Sequence, residues 1–263
     1  MTAELLEERR DGVITLTLNR PDKRNALSID LLTNIYDSVR RLASDPTVRV
    51  LVISGGLEVF AAGGDITQLK GATPEEMFRR YEWQRYLWDS IESFPRPTIA
   101  MVAGLALGGG CELALCCDFR VVSKDAVIGL PETRLGVMPG AGGTQRLARL
   151  IGASRAKEIV FLGESLDAER ALAYGLVNRV VEKDQLVDET NKFADKLARA
   201  AGFSLQMAKF AINSGQDVPL PTALRIERLA FSNLFGSEDH REGVDAFLEK
   251  RRPNFIHDGK KES

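Results

Sequence analysis

The sequence predicts an α/β fold, and three observations carry that reading. Apolar runs of strand character alternate with amphipathic helical segments through the first two thirds of the chain. A glycine-rich stretch, residues 98–143, sits in the middle of that alternation. The final third is nearly all helical in pattern, with turn signals at Gly202, at residues 218–221 and near Gly236.

Residues 13–18 alternate β-branched and leucine side chains and read as a strand, after which Asn19-Arg20-Pro21-Asp22 turns the chain. Ser28 is placed to cap a helix that runs to about Leu42, with Leu31, Leu32, Ile35 and Val39 on one face. Residues 48–54 form a run that is apolar but for Arg49 and Ser54, as expected of a strand covered on both sides. A loop through Gly64 follows, and Asp65 can cap a further helix. Residues 73–94 read as a helix rich in large side chains, including Met77, Tyr81 and Trp88, ended by Pro95 and Pro97. That aromatic stripe is expected to be core or pocket wall. The central stretch then runs through a strand at 98–102, the triplet Gly108-Gly109-Gly110, a short helix at 111–117 and a strand at 119–122. Helices are expected at 144–150 and 154–161, split by Gly152. Asp167 caps another that stops at Gly175, and residues 177–181 form the last clear strand.

Composition narrows the function. The chain has 263 residues, 44% of them hydrophobic, enough for a sizeable core. A formal net charge of −2 makes no electrostatic case for nucleic acid or an anionic membrane. Cys111, Cys116 and Cys117 share one apolar run, which fits buried reduced thiols and a reducing, cytoplasmic setting. His240 and His257 lack ligand-like spacing, so no metal site is expected. Residues 1–10 have no apolar core, so no secretory signal is expected there. Glu112 and the glycine triplet interrupt the apolar run at 98–117, which argues against a membrane span.

The chemistry lies in the glycines and two acids. Gly108-Gly109-Gly110 ahead of a helix presents unobstructed N–H groups at a positive helix end. No Gly-Lys-Ser/Thr follows, and Gly140-Ala141-Gly142 lacks the later glycine of a dinucleotide fingerprint, so neither phosphate motif fits. An oxyanion hole and simple tight packing remain open. Phe60-Ala61-Ala62-Gly63-Gly64-Asp65 is a second such loop, and the two could converge on one oxygen. Glu112 and Glu132 stand among glycines and aliphatics, where a carboxylate is costly unless used. Paired carboxylates can divide acid and base work, as they also do in glycoside hydrolysis. A serine triad has no support, for there is no Gly-x-Ser-x-Gly.

These segments, with Asn19-Arg20-Pro21-Asp22-Lys23-Arg24-Asn25-Ala26-Leu27, Gly129-Leu130-Pro131-Glu132 and Pro139-Gly140-Ala141-Gly142-Gly143-Thr144-Gln145-Arg146-Leu147, resemble the crotonase, or enoyl-coenzyme A hydratase/isomerase, superfamily. The resemblance extends to the tail from Arg241-Glu242-Gly243 to Phe255. It implies a crotonase (ClpP-like) spiral of ββα units over residues 1–200, carrying the site, and a helical assembly region over 201–263 that builds trimers, often paired into hexamers. It implies an acyl-coenzyme A thioester substrate and no separate cofactor. The N–H groups of Gly64 and Gly109 would form the oxyanion hole. Many members have alanine at the position of Gly64, and a backbone donor survives that change. One water would be held between Glu112 and Glu132 with help from the Gly140 region; Glu112 would activate it for attack at C3, and Glu132 would protonate C2. Ala26, Ala62 and Ile66 would line the coenzyme A path, residues 68–94 would wall the acyl pocket, and Phe247 and Lys250 would approach from a neighbouring subunit. Branched or dicarboxylic enoyl thioesters, double-bond isomerisation and an RNA-binding role are the alternatives it carries. The charge balance speaks against the last.

Overall fold

The computed structural model describes residues 3–66 and 70–255. Its centre is a six-stranded sheet in the order β1-β2-β3-β4-β6-β9, comprising Leu5–Arg10, Val13–Leu18, Val50–Ser54, Thr98–Val102, Phe119–Ser123 and Arg179–Val181. All neighbours run parallel except the β1–β2 hairpin. A second sheet joins β5 (Leu105–Leu107), β7 (Val127–Gly129) and β8 (Ser165–Asp167).

Side-chain alternation along the central strands builds two cores. Leu51 and Ile53 of β3, with Ala100 and Val102 of β4, enter the larger one with α1 (Ile29–Ala43) and α2 (Pro74–Glu92). Val50, Val52, Ile99 and Met101 point the other way, onto Leu186, Ala194 and Ala198 of α7 (Leu186–Ala198). Both faces of the sheet are covered, which is why β3 is apolar at every position but the last and buried throughout. The caps at Ser28 and Asp167 act as expected. Ser28 accepts the Leu31 N–H at 3.2 Å, Thr73 and Glu76 close a capping box, and Asp167 accepts the Arg170 N–H at 2.7 Å to start α6 (Ala168–Ala173).

The site-bearing helices are short. α3 (Gly109–Leu115) follows β5 directly, and α4 (Gly143–Ile151) and α5 (Ala153–Leu162) meet at Gly152. Three further helices, α8 (Gly202–Gly215), α9 (Leu220–Leu234) and α10 (Glu238–Leu248), form the tail.

Some expectations shift. The last strand of the large sheet is Arg179–Val181, shorter than predicted, because Leu176 and Val177 turn inward to the core instead. β1 was not foreseen: it is a charged edge strand whose partnering comes from β2 alone, so it carries no apolar face to read. The three strands of the small sheet are three residues each, too short for a period-2 pattern. The helix anticipated after Asp65 falls largely on residues 67–69, outside the described residues, as does Gln68 at the start of the expected acyl wall.

Candidate active site

The two glycine loops meet. The segment after β3 bridges Leu27 at Gly64: Gly63 accepts the Leu27 N–H at 2.8 Å, and Asp65 donates back to Leu27. Alternation along that backbone turns the intervening Gly64 N–H to the opposite side. Gly109 stands there. A Cβ built on Gly109 would lie 3.5 Å from the Gly64 nitrogen. As the first residue of α3, Gly109 also has an N–H without a partner inside its helix. Two features permit the approach. Gly108 turns at φ 52°, and a side chain at Gly110 would lie 2.2 Å from the Ala61 carbonyl oxygen. Gly64 and Gly109 line one cavity.

Glu112, on the first turn of α3, is buried with 3% of its surface exposed. Its Oε1 accepts the N–H of Ala141 at 2.8 Å and that of Gly143 at 2.9 Å. Gly143 opens α4, so the carboxylate also sits at the positive end of that helix. Oε2 receives neither bond, and Glu112 lines a cavity of about 600 Å³. Glu132 lines the same cavity from the 3-10 turn Glu132–Leu135. Its Oε1 would be 3.3 Å from a Cβ on Gly108, beside the start of α3, and its Oε2 is buried without a hydrogen-bond partner.

The two acids have different surroundings. Burial pushes the Glu112 carboxyl up, while the N–H groups of Gly143 and Ala141 and the Arg146 guanidinium pull it back. Burial pushes Glu132 up to about 7, and the negative charge of Glu112 adds to that. Burial thus favours the protonated form of both acids, and at Glu112 two backbone donors and a cation oppose it.

Of the other predicted positions, Ala62, Ile66 and Gly140 line this cavity. Ala26 does not: it lies in the preceding turn, and its neighbour Leu27 takes the wall. Phe247 and Lys250 lie on and just after α10, outside the lining, and Phe247 is 83% exposed. From α2, Met77, Tyr81 and Trp88 form wall as expected, while Phe78 and Tyr86 face outward. Sequence reasoning singled out Gly140, yet the donors to Glu112 are Ala141 and Gly143. Their signal was the Gly142-Gly143 pair ahead of an amphipathic helix, which marks a helix N-terminus. Gly140 instead packs under the Tyr81 ring, 2.9 Å from Cζ to a would-be Cβ. Among the described residues, no cluster of histidine, cysteine, aspartate or glutamate could hold a metal ion, and no helix is long and apolar enough to cross a membrane.

Comparison with known proteins agrees with this geometry. The profile of the enoyl-CoA hydratase/isomerase family matches residues 8–258. Over 253 residues, the chain is 40% identical to crotonyl-CoA hydratase of Syntrophomonas wolfei, covering 96% of this chain and 97% of that protein. It is 43% identical to 2,3-dehydroadipyl-CoA hydratase of Escherichia coli, covering 96% and 98%. The crystal structure of an enoyl-CoA hydratase from Bacillus anthracis superposes with a TM-score of 0.92 at 36% identity, covering 96% of this chain and 99% of that one. With its paired glycine loops, its two glutamates and a family profile spanning nearly its whole length, the chain belongs to the enoyl-CoA hydratase/isomerase family of the crotonase superfamily.

Proposed function

We infer that this enzyme is an enoyl-CoA hydratase, adding water reversibly across the 2,3 double bond of a trans-2-enoyl thioester to give the 3-hydroxyacyl thioester. One observation carries the reading: Glu112, with two backbone N–H groups on one of its oxygens, and Glu132 line a single cavity together with Gly64 and Gly109. The thioester oxygen accepts the N–H groups of Gly64 and Gly109. Oε2 of Glu112 takes a proton from water as the water oxygen bonds to C3. The π electrons move toward the thioester oxygen, whose developing charge the two amides stabilise. Glu132 delivers its proton to C2, and proton exchange with solvent then restores both acids.

Ala62 and Ile66 border the coenzyme A path, with Ala26 in the turn before it. The thioester is the substrate, and no further cofactor is proposed. α9 buries only Ala230 and leaves Leu220, Leu229 and Phe231 exposed. That surface supports residues 201–263 as an assembly region for a trimer or a hexamer, in which Phe247 and Lys250 reach a neighbour's coenzyme A. The three buried free thiols support a cytoplasmic setting. A dicarboxylic acyl chain, as the name of the E. coli relative describes for that protein, is a second reading favoured by Arg80 on the cavity wall.

The test is steady-state hydration of enoyl thioesters of varied length, branching and terminal charge. Hydration of a short trans-2-enoyl thioester is expected, and its loss is expected in Glu112→Gln. A wild-type enzyme inert toward the whole series would refute the reading.

A further inference from the structure

Arg146 is the fourth residue of α4, and its guanidinium folds back over the start of its own helix. Nη1 donates to the Ala141 carbonyl at 3.1 Å. The N–H of that same residue, with that of Gly143, holds Oε1 of Glu112. The short loop is therefore gripped from two sides, by a carboxylate and by a guanidinium. Gly142 lies between them at φ 100°, and a Cβ there would fall 1.9 Å from Nη1. The guanidinium fills the space a side chain would need. Its remaining donors, Nε and Nη2, both go to Oε2 of Glu92 at 3.0 and 2.6 Å. Glu92 is the last residue of α2, the helix that walls the cavity.

We propose that Arg146 is a positioning residue for hydration: it fixes the Ala141–Gly143 loop that orients Glu112, places a cation beside that carboxylate, and is itself locked by Glu92. This rests on Glu112 acting as the base. The groups that face Glu112 are Glu132 from the 3-10 turn, Tyr81 from α2, and Cys111 and Cys116 from its own helix. Arg146, from α4, is the cation among them. Its side chain is 17% exposed, so solvent screens its charge only in part.

The test is the pH dependence of kcat/KM and kcat for a short trans-2-enoyl thioester. In Arg146→Gln, the acidic limb is expected to move up by on the order of one pH unit, because an anion that loses a nearby cation binds its proton more tightly. The alkaline limb, set by Glu132, stays in place. At pH 7 kcat falls several-fold with KM little changed. Arg146→Lys restores the charge without the planar fork, so its limb returns to the wild-type position while kcat stays reduced. Glu92→Gln keeps the cation and loosens its lock, lowering kcat with the limb unmoved. A merely structural role would lower activity equally at every pH, and an unmoved limb in Arg146→Gln overturns the inference. If that variant does not fold, wild-type kcat in both Arg146→Lys and Glu92→Gln overturns it instead. A wrong hydratase reading looks different: the wild type fails to hydrate, or Glu112→Gln stays active.

Discussion

Gly143 donates its N–H to Oε1 of Glu112 across 2.9 Å, and a Cβ on Gly143 would lie 2.9 Å from that same oxygen. The absence of a side chain lets the start of one helix reach the acid of another. With the Ala141 N–H, it occupies one carboxylate oxygen and leaves the second for chemistry. Glu132 receives no such pair of donors, and burial pushes its carboxyl up to about 7.

Loss of either acid should stop turnover and spare binding. General acid–base groups contribute about 10²–10⁴-fold, so Glu112→Gln and Glu132→Gln should each lose that order in kcat. Coenzyme A product affinity, measured by calorimetry, should hold, since both changes keep the shape. An isomerase would depend on one glutamate and tolerate loss of the other.

The raised Glu132 acid has a stability signature. Its folded value is about 7 against an ordinary 4.5. Between those values the unfolded chain has released a proton that the folded chain keeps, so stability falls as pH rises through this window and the full loss remains above it. An undiscounted shift of this size is ~3 kcal/mol. Glu132 is only half-buried, and ~1–2 kcal/mol is left after solvent screening. Thermal melts should therefore show Glu132→Gln more stable than wild type at pH 8 and equal to it at pH 4.

Neighbouring glycines should fail in different ways. A methyl at Gly110 meets the Ala61 carbonyl at 2.2 Å, backbone that cannot step aside. Gly110→Ala should lose ~1–3 kcal/mol of stability by overpacking. At Gly109 the nearest atom is Leu27 Cδ1 at 3.3 Å, the end of a side chain, and next is the Gly64 nitrogen. Gly109→Ala should melt near wild type yet lose about 10²-fold in kcat/KM, the effect of spoiling one oxyanion donor.

The tail should assemble the protein. Light scattering at micromolar concentration is expected to give a trimer or hexamer. Leu229→Glu, on the exposed apolar face of α9, should shift it toward monomer. A stable wild-type monomer would exclude this assembly.

The cysteines should be inert. Burial pushes the Cys117 thiol up to about 12, and raises Cys111 and Cys116 as well. A thiol reagent should label all three only as fast as the chain unfolds.

Much of this protein was legible in its residues taken one after another. The caps at Ser28 and Asp167, the buried run of β3 and the breaks at Pro95 and Gly152 are local signals, because each depends on backbone groups a few residues away. The identity of the two acids and the glycine loops was equally plain. Which donors serve which acid was not. Ala141 and Gly143 lie about thirty residues beyond Glu112, and only the packing of α4 beside α3 brings them to its oxygen. The three-residue strands of the small sheet owe their form to partners roughly 20 to 40 residues along the chain, as β5 pairs β7 and β7 pairs β8. Likewise, nothing in the isolated segments gives the raised carboxyls of Glu112 and Glu132. Burial sets them, and burial is a property of the folded chain.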